Sequence, residues 1–247
     1  MLYYCLNRQF GDLHCLECFV IGGVNLETTS SHRQSHVEKV DLEGLTPAYI
    51  MTKRCFDFTA SLVGLLLLSG VFLVIALLIK LDDPHGKVFY SQTRLGKDGQ
   101  SFQMWKFRSM ITGADKMVEK LLRKNEVEGA MFKIKDDPRI TRVGRFIRKY
   151  SLDELPQLYN VLRGDMSLVG PRPPLPREVV DYTSYDRQRL SVTPGVTGLW
   201  QISGRNDLGF SEMVALDIKY INHACVSQDI KILLKTVIVV IHPSGAY

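Results

Sequence analysis

From Phe56 to Leu81 the chain reads FDFTASLVGLLLLSGVFLVIALLIKL, its only long apolar stretch. The run from Phe58 to Ile79 carries no charge and, at about twenty residues, is long enough to cross a bilayer or to enter one and return. Helices of soluble domains rarely lack a polar face over that length, so the segment is expected in a membrane and not in a core. Roughly fifty residues precede it, which excludes a cleaved signal peptide. Lys53 and Arg54 stand before it, and Lys80, Lys87, Arg94 and Lys97 follow it, so the positive-inside rule puts both ends on the cytoplasmic side. A straight span cannot satisfy both; a helix that bends within the bilayer and comes back can. Ser69-Gly70 at the midpoint offers the break, with the serine hydroxyl available to the freed backbone groups. Since the charge signal on the N-terminal side is two residues, a single span is the alternative.

The 247 residues, 45% of them apolar, suffice for one sizeable domain plus appendages. The net charge of +5 comes mostly from residues 87–149, where Lys97, Lys106, Arg108, Lys133, Lys135, Arg139, Arg142, Arg145, Arg148 and Lys149 outnumber the acids. Such a surface concentrates anions, which points to anionic lipid head groups or phosphorylated substrates, with a merely solvated basic face as the alternative. Five cysteines, three of them in the first eighteen residues, do not make a secreted disulfide framework, and a reducing compartment is expected. Cys15 and Cys18 followed by His32 and His36 have zinc-finger spacing, but Gly22 and Thr28 or Thr29 occupy the places where that fold needs an aromatic and a leucine, so zinc is set aside.

Three regions follow. Residues 1–46 show no sustained periodicity and are expected to be a poorly ordered extension; 47–82 form the re-entrant membrane helix; 83–247 form a cytosolic catalytic domain. The fold class is α+β: a mostly helical small domain with a short β-hairpin, anchored by the re-entrant helix and by surface amphipathic helices. Val88–Tyr90 and Phe102–Phe107 predict strands around a Gly96-Lys97-Asp98-Gly99 turn. Helices are predicted over 113–125, 155–162, 182–190, 210–221 and 229–241. In the last, Ile230, Leu233, Leu234, Val237, Ile238 and Ile241 share an apolar face, expected in the core, with a membrane surface as the alternative.

The residues able to carry chemistry lie between Arg139 and Arg172. Asp153 and Glu154 are adjacent, so on a helix they diverge by about 100° and cannot share a proton. Separate roles fit better, one as nucleophile or base and one as metal ligand. Ser151 and Glu154 also have capping-box spacing, but that register places Pro156 inside the helix; a start at Asp153 puts it in the first turn, where its missing N–H is harmless. Arg172 stands between Pro171 and Pro173-Pro174, where rigid flanks reduce the entropy lost on gripping a phosphate. Its alternative is an ordinary salt bridge. Arg148 and Arg205 are weaker candidates, Pro194–Gly198 is a glycine-containing turn that would let a backbone approach a nucleotide, and Asp229 could be only an N-cap. No nucleophilic triad, Walker loop or GxGxxG is present.

Lys53-Arg54-x-Phe56-Asp57, Lys106-Phe107-Arg108-Ser109-Met110, Asp137 to Gly144, Ser151 to Leu158, Gly164 to Pro173 and Pro194 to Gln201 together resemble the bacterial sugar transferases, the monotopic polyprenyl-phosphate phosphoglycosyl transferases. The resemblance covers about residues 52–247 and implies a two-step reaction at the cytoplasmic face of the bacterial inner membrane. The carboxylate matching Asp153 would attack the sugar-bearing phosphorus of a UDP-sugar and release UMP; undecaprenyl phosphate would then attack the resulting phosphosugar-aspartyl enzyme. Glu154 would hold Mg2+, and Arg148, Arg172, Arg205 and Asp229 match phosphate-site or nucleotide-sugar positions. Relatives commonly carry Ser-Pro at the bend where Ser69-Gly70 stands here. The closing Ser244-Gly245-Ala246-Tyr247 resembles exopolysaccharide-initiating members and favours UDP-glucose or UDP-galactose. Membrane lipids are implied partners and nucleic acid is not; oligomeric state, a homodimer included, is not legible. A Mg2+-dependent phosphatase or pyrophosphatase is the competing enzyme, and a basic membrane-anchored adaptor or RNA-binding module the competing non-enzyme.

Overall fold

The computed structural model describes residues 40, 42, 44–117, 134, 137–204 and 208–241. Most of the predicted N-terminal extension, with the Cys15, Cys18, His32 and His36 spacing, lies outside them. Helix α1 (Pro47–Leu67) begins with Thr46 Oγ1 accepting from the Tyr49 N–H and with Pro47 in the first turn. Helix α2 (Ser69–Asp82) continues the apolar run after a 59° bend at Leu68. The break falls one residue ahead of Ser69-Gly70, and Ser69 Oγ donates to the Leu66 carbonyl at 2.8 Å, the role foreseen for that hydroxyl. No single described helix is long and apolar enough to cross a membrane; only the bent pair together passes on length and composition. Leu66, Leu67, Leu73 and Leu81 are two-thirds or more exposed, whereas a core helix would hide them. Only Asp57 and Ser61 on α1 and Ile75 and Ile79 on α2 are buried.

A side chain at Gly70 would meet nothing within 4 Å, and the residue sits in the first turn of α2. Gly70→Pro is therefore expected to shift the thermal unfolding midpoint in detergent by no more than the equivalent of about 1 kcal/mol; Leu65→Pro, in the interior of α1, should cost about 3 kcal/mol.

Strands β1 (Phe89–Leu95) and β2 (Ser101–Phe107) form an antiparallel hairpin, with Tyr90 opposite Lys106 and Arg94 opposite Phe102. Its first strand runs further than predicted, and Asp98 and Gly99, both at positive φ, close the turn. The helix predicted over 113–125 appears as one 3-10 turn, Ala114–Met117, and its remainder lies outside the described residues. Next come α3 (Arg142–Lys149), α4 (Gln157–Arg163), β3 (Ser167–Val169), α5 (Pro176–Val180), α6 (Ser184–Arg187) and β4 (Gly195–Thr197), which pairs with β3 in parallel. The helix predicted over 182–190 resolves into α6 and a 3-10 turn, Gln188–Ser191. Helices α7 (Phe210–Asn222) and α8 (Val226–Ile241) close the chain.

Three apolar clusters hold these pieces. Ile75 and Ile79 of α2 meet Phe107 and Ile147; Met104, Val161 and Met166 join β2 to α4; Val169, Tyr220, Ile221 and Ile232 join β3, α7 and α8. The core expectation for the α8 face is overturned for five of its six residues: Ile230, Leu234, Val237, Ile238 and Ile241 are 43–63% exposed, while Leu233 packs against the cluster that Ile232 enters. Periodicity groups residues on one face without saying what that face meets, and here no described part of the chain covers it.

Candidate active site

The Asp153-Glu154 pair sits on a 3-10 turn, Leu152–Glu154, between α3 and α4. Ser151 has φ 54, a left-handed conformation that a non-glycine residue adopts at a cost, and its side chain caps nothing at this turn. An N-cap needs an extended backbone, so the capping-box spacing is not used. The helix proper starts after Pro156, whose missing N–H falls where no intrahelical bond is due.

Two long-range clamps fix α4 and hence the carboxylate turn. Asn160, fully buried, accepts from the Trp105 N–H at 3.0 Å and donates to the Gln103 carbonyl at 2.7 Å, sewing α4 to β2. At the other end Arg54 of α1 donates to the Val161 and Leu162 carbonyls at 2.6 and 2.9 Å, satisfying the last turn of the helix. The helix that follows the carboxylate turn is thereby tied at its far end to α1. Asn160→Leu leaves a buried N–H and C=O unpaired; each costs about 1–3 kcal/mol, so a fall in the unfolding midpoint equivalent to about 3 kcal/mol is expected by thermal melt.

Because β2 is held against α4, Lys106 reaches Glu154, Nζ to Oε1 2.6 Å. Asp153 is 8% exposed and Glu154 about one-third. Burial pushes the Asp153 carboxyl up to about 6, and the Glu154 charge pushes the same way, while Lys106 and Arg148 pull it back. The two neighbouring carboxylates thus differ in environment, Asp153 desolvated and Glu154 more exposed and paired with Lys106. Lys106→Met removes one opposing cation, so the Asp153 value is expected to rise above about 6. If ionised Asp153 is the reacting form, the acid limb of the pH-rate profile moves to higher pH, measurable as initial rate between pH 5 and 8.

The proline loop brings a second set of cations. Arg172, about a quarter exposed, donates to Glu178 Oε2 at 3.4 Å, and buried Arg94 donates to the Pro173 carbonyl at 3.1 Å. Burial and the Arg172 charge bring the Arg94 guanidinium down to about 10, against the opposing pull of Glu178 and Glu154, so these four charges lie in one field. Arg94 Nε is buried with no hydrogen-bond partner among the described residues. The glycines of Pro194–Gly198 allow close packing within the chain: Gly195 lies on β4 against Gly170, where a Cβ would fall 2.0 Å from the Gly170 nitrogen. That close approach, with Gly195 N–H to the Pro171 carbonyl at 2.8 Å, presses the arginine loop onto β4.

Asp229 is placed apart from this group. It is in the fourth position of α8, not at its N-cap, and accepts from Lys53 Nζ at 2.8 Å, Tyr220 Oη at 2.7 Å and Tyr49 Oη at 3.0 Å. Its partners come from α1 and α7, none from the Asp153 turn. Arg205 lies outside the described residues. Arg148 acts on Asp153 directly, whereas Arg172 and Glu154 share Arg94 as a common neighbour in charge. Lys106 and Arg94 were missed as site residues. Lys106 continues the Phe102–Met104 face of β2 that packs on Val161 and Met166, and a lysine on an otherwise apolar strand face needs a partner; that was the readable signal.

Adjacent carboxylates faced by Lys106 and Arg148, with a neighbouring arginine pair, gather charges suited to an anionic ligand close to α4, which Arg54 ties to the exposed apolar helix pair. The chain belongs to the bacterial sugar transferase family, whose pattern matches residues 48–243. It is 48% identical over 200 residues to "Galactosyl transferase CpsE" of Streptococcus agalactiae, covering 81% of this chain and 44% of that one. It is 46% identical over 201 residues to "Exopolysaccharide production protein ExoY" of Rhizobium meliloti, covering 80% and 88%. With "Undecaprenyl-phosphate galactose phosphotransferase" of Salmonella typhimurium it shares 45% over 199 residues, covering 79% and 41%. The chain thus spans less than half the length of the first and third of these and most of the second.

Proposed function

We propose that the protein transfers a hexose 1-phosphate from a UDP-sugar to undecaprenyl phosphate at the cytoplasmic face of the bacterial inner membrane, releasing UMP and so initiating an exopolysaccharide or related glycoconjugate. The observation that carries this reading is the buried, ionisable Asp153 next to the Lys106-held Glu154, on a turn that leads into α4, whose far end Arg54 clamps to the apolar anchor. In the first step an Asp153 carboxylate oxygen bonds to the sugar-bearing phosphorus, and the phosphoanhydride bond to UMP breaks. In the second a phosphate oxygen of undecaprenyl phosphate bonds to the same phosphorus, the aspartyl–phosphorus bond breaks, and the carboxylate is regenerated. Splitting the transfer lets a soluble donor and a bilayer-bound acceptor use one site in turn. Arg172 and Arg148 orient the diphosphate, and Arg94 reinforces the field behind them. The bent α1–α2 pair, with basic residues at both ends, supports entry and exit on the cytoplasmic side.

Among the described residues no cluster of three or more His, Cys, Asp or Glu could hold a metal alone. Magnesium is ordinarily held by one or two carboxylates together with substrate phosphates, and Asp153 and Glu154 fit that pattern. Glu154 is the residue we assign to it, with Lys106 displaced or shared on binding. When bound, the ion supplies neutralisation of the donor diphosphate. The names of the relatives favour UDP-galactose or UDP-glucose as donor. The test is UMP release across a panel of UDP-sugars with and without undecaprenyl phosphate. Sustained release that requires the lipid supports transfer; sustained release without it makes the protein a hydrolase.

A further inference from the structure

We propose that an apolar cavity beside Glu154 receives the head-proximal isoprenoid units of the polyprenyl phosphate acceptor. The inference rests on the transferase reading and adds the place where the lipid enters. The cavity has a volume of about 210 Å³, with Glu154, Leu155 and Leu158 on one wall and Ile202, Val239 and Val240 on the other. Glu154 is the one charged residue in its described lining, and the rest of that lining is apolar or neutral. Tyr150, Ser151, Thr197, Gln201 and Thr236 give the lining a few polar groups, but most of its accessible surface is apolar, from which a branched hydrocarbon gains more than a hexose does. Drug-sized ligands fill roughly 300 Å³ or more, so this space suits one end of a long molecule and not the whole.

Two contacts connect the cavity to the bilayer side. Leu158 stands between it and α1, its Cδ1 only 3.3 Å from where a Cβ on Gly64 would lie, so one wall is shared with the apolar anchor. On α8, Val239 and Val240 line the space while Val237, Ile238 and Ile241 are 56–62% exposed, which carries apolar surface continuously outward along the helix. An amphiphile with an anionic head and an isoprenoid tail matches both ends of the path: the tail follows α8 and the Leu158 wall, and the phosphate arrives at Asp153, where Lys106 and Arg148 are. This also gives the exposed α8 face an occupant.

The experiment separates the two half-reactions in the full chain in lipid nanodiscs. Val239→Trp fills the cavity from α8 and Ile202→Trp fills it from the 3-10 turn Trp200–Ile202. Each is expected to raise KM for undecaprenyl phosphate at least tenfold while changing the lipid-free burst of UMP less than threefold. In parallel, a diazirine-bearing polyprenyl phosphate irradiated with the wild-type protein should label peptides containing Leu158 or Val239-Val240. Unchanged KM in a variant that keeps its burst, a burst and lipid step that fall together, or photolabel confined to other peptides would each overturn the proposal. A wild-type protein with neither burst nor lipid-dependent turnover would instead overturn the transferase reading, and this inference with it.

Discussion

Asp153→Asn is expected to abolish UMP release from the UDP-sugar and to leave no phosphosugar on the protein, a loss of at least about 10⁴-fold. The amide keeps the shape of the carboxyl, so the turn between α3 and α4 should hold, with Asn160 and Arg54 still clamping α4. What is lost is the negative oxygen that attacks phosphorus. The substitution also removes a buried charge that the fold tolerates at a cost, since burial and the Glu154 charge hold that carboxyl up at about 6 against the pull of Lys106 and Arg148. At pH 8 the variant is therefore expected to melt no lower than the wild type, by thermal unfolding in detergent. Glu154→Gln should behave differently, leaving the nucleophile and mainly weakening the Mg2+ dependence and the rate. Equal loss of the burst in both variants, with both folded, would remove the distinction between their roles.

Arg172→Ala is expected to lower kcat/KM for the donor by about 10²–10³-fold, or roughly 3–4 kcal/mol, with little change in stability. Its side chain is about a quarter exposed and its ion pair with Glu178, at 3.4 Å, is long, so the contact adds little to the fold. Glu178 keeps its bond to the Leu175 N–H at 2.8 Å, and the loop keeps its seat on β4 through Gly195 and Pro171. Arg172→Lys should recover only part of the loss, because an ammonium cannot make a two-pronged contact. Full activity in the lysine variant would show that the position supplies general positive charge only.

What the sequence made legible was local. The bend followed from Ser69-Gly70 in a run too apolar for a core, and the hairpin from Gly96–Gly99 between alternating strands. The rigid loop around Arg172 followed from its prolines. Misreadings arose where a residue's meaning depends on a distant partner. Lys106 becomes a site residue only because Asn160, 54 positions later, holds β2 to α4. Asp229, which resemblance sets among the phosphate-site positions, gathers Tyr49, Lys53 and Tyr220 in the fold, an arrangement that ties α8 to α1 and that no local pattern shows. The α8 stripe had the spacing of a core face, but its surroundings were set by Ile232, one helical step away, turning inward.

The central claim is that transfer passes through Asp153 in two steps, and intact-mass spectrometry of the wild-type protein tests it most directly. Incubation with the productive UDP-sugar and Mg2+, without lipid, is predicted to release up to one UMP per protein and to add the mass of one hexose phosphate, mapped to Asp153 in the peptide. Adding undecaprenyl phosphate should then discharge that mass at a rate at least equal to turnover. An adduct on Glu154 would reverse the two roles. No adduct under acid trapping, with turnover strictly requiring donor and lipid together, would contradict the account and replace it with direct transfer.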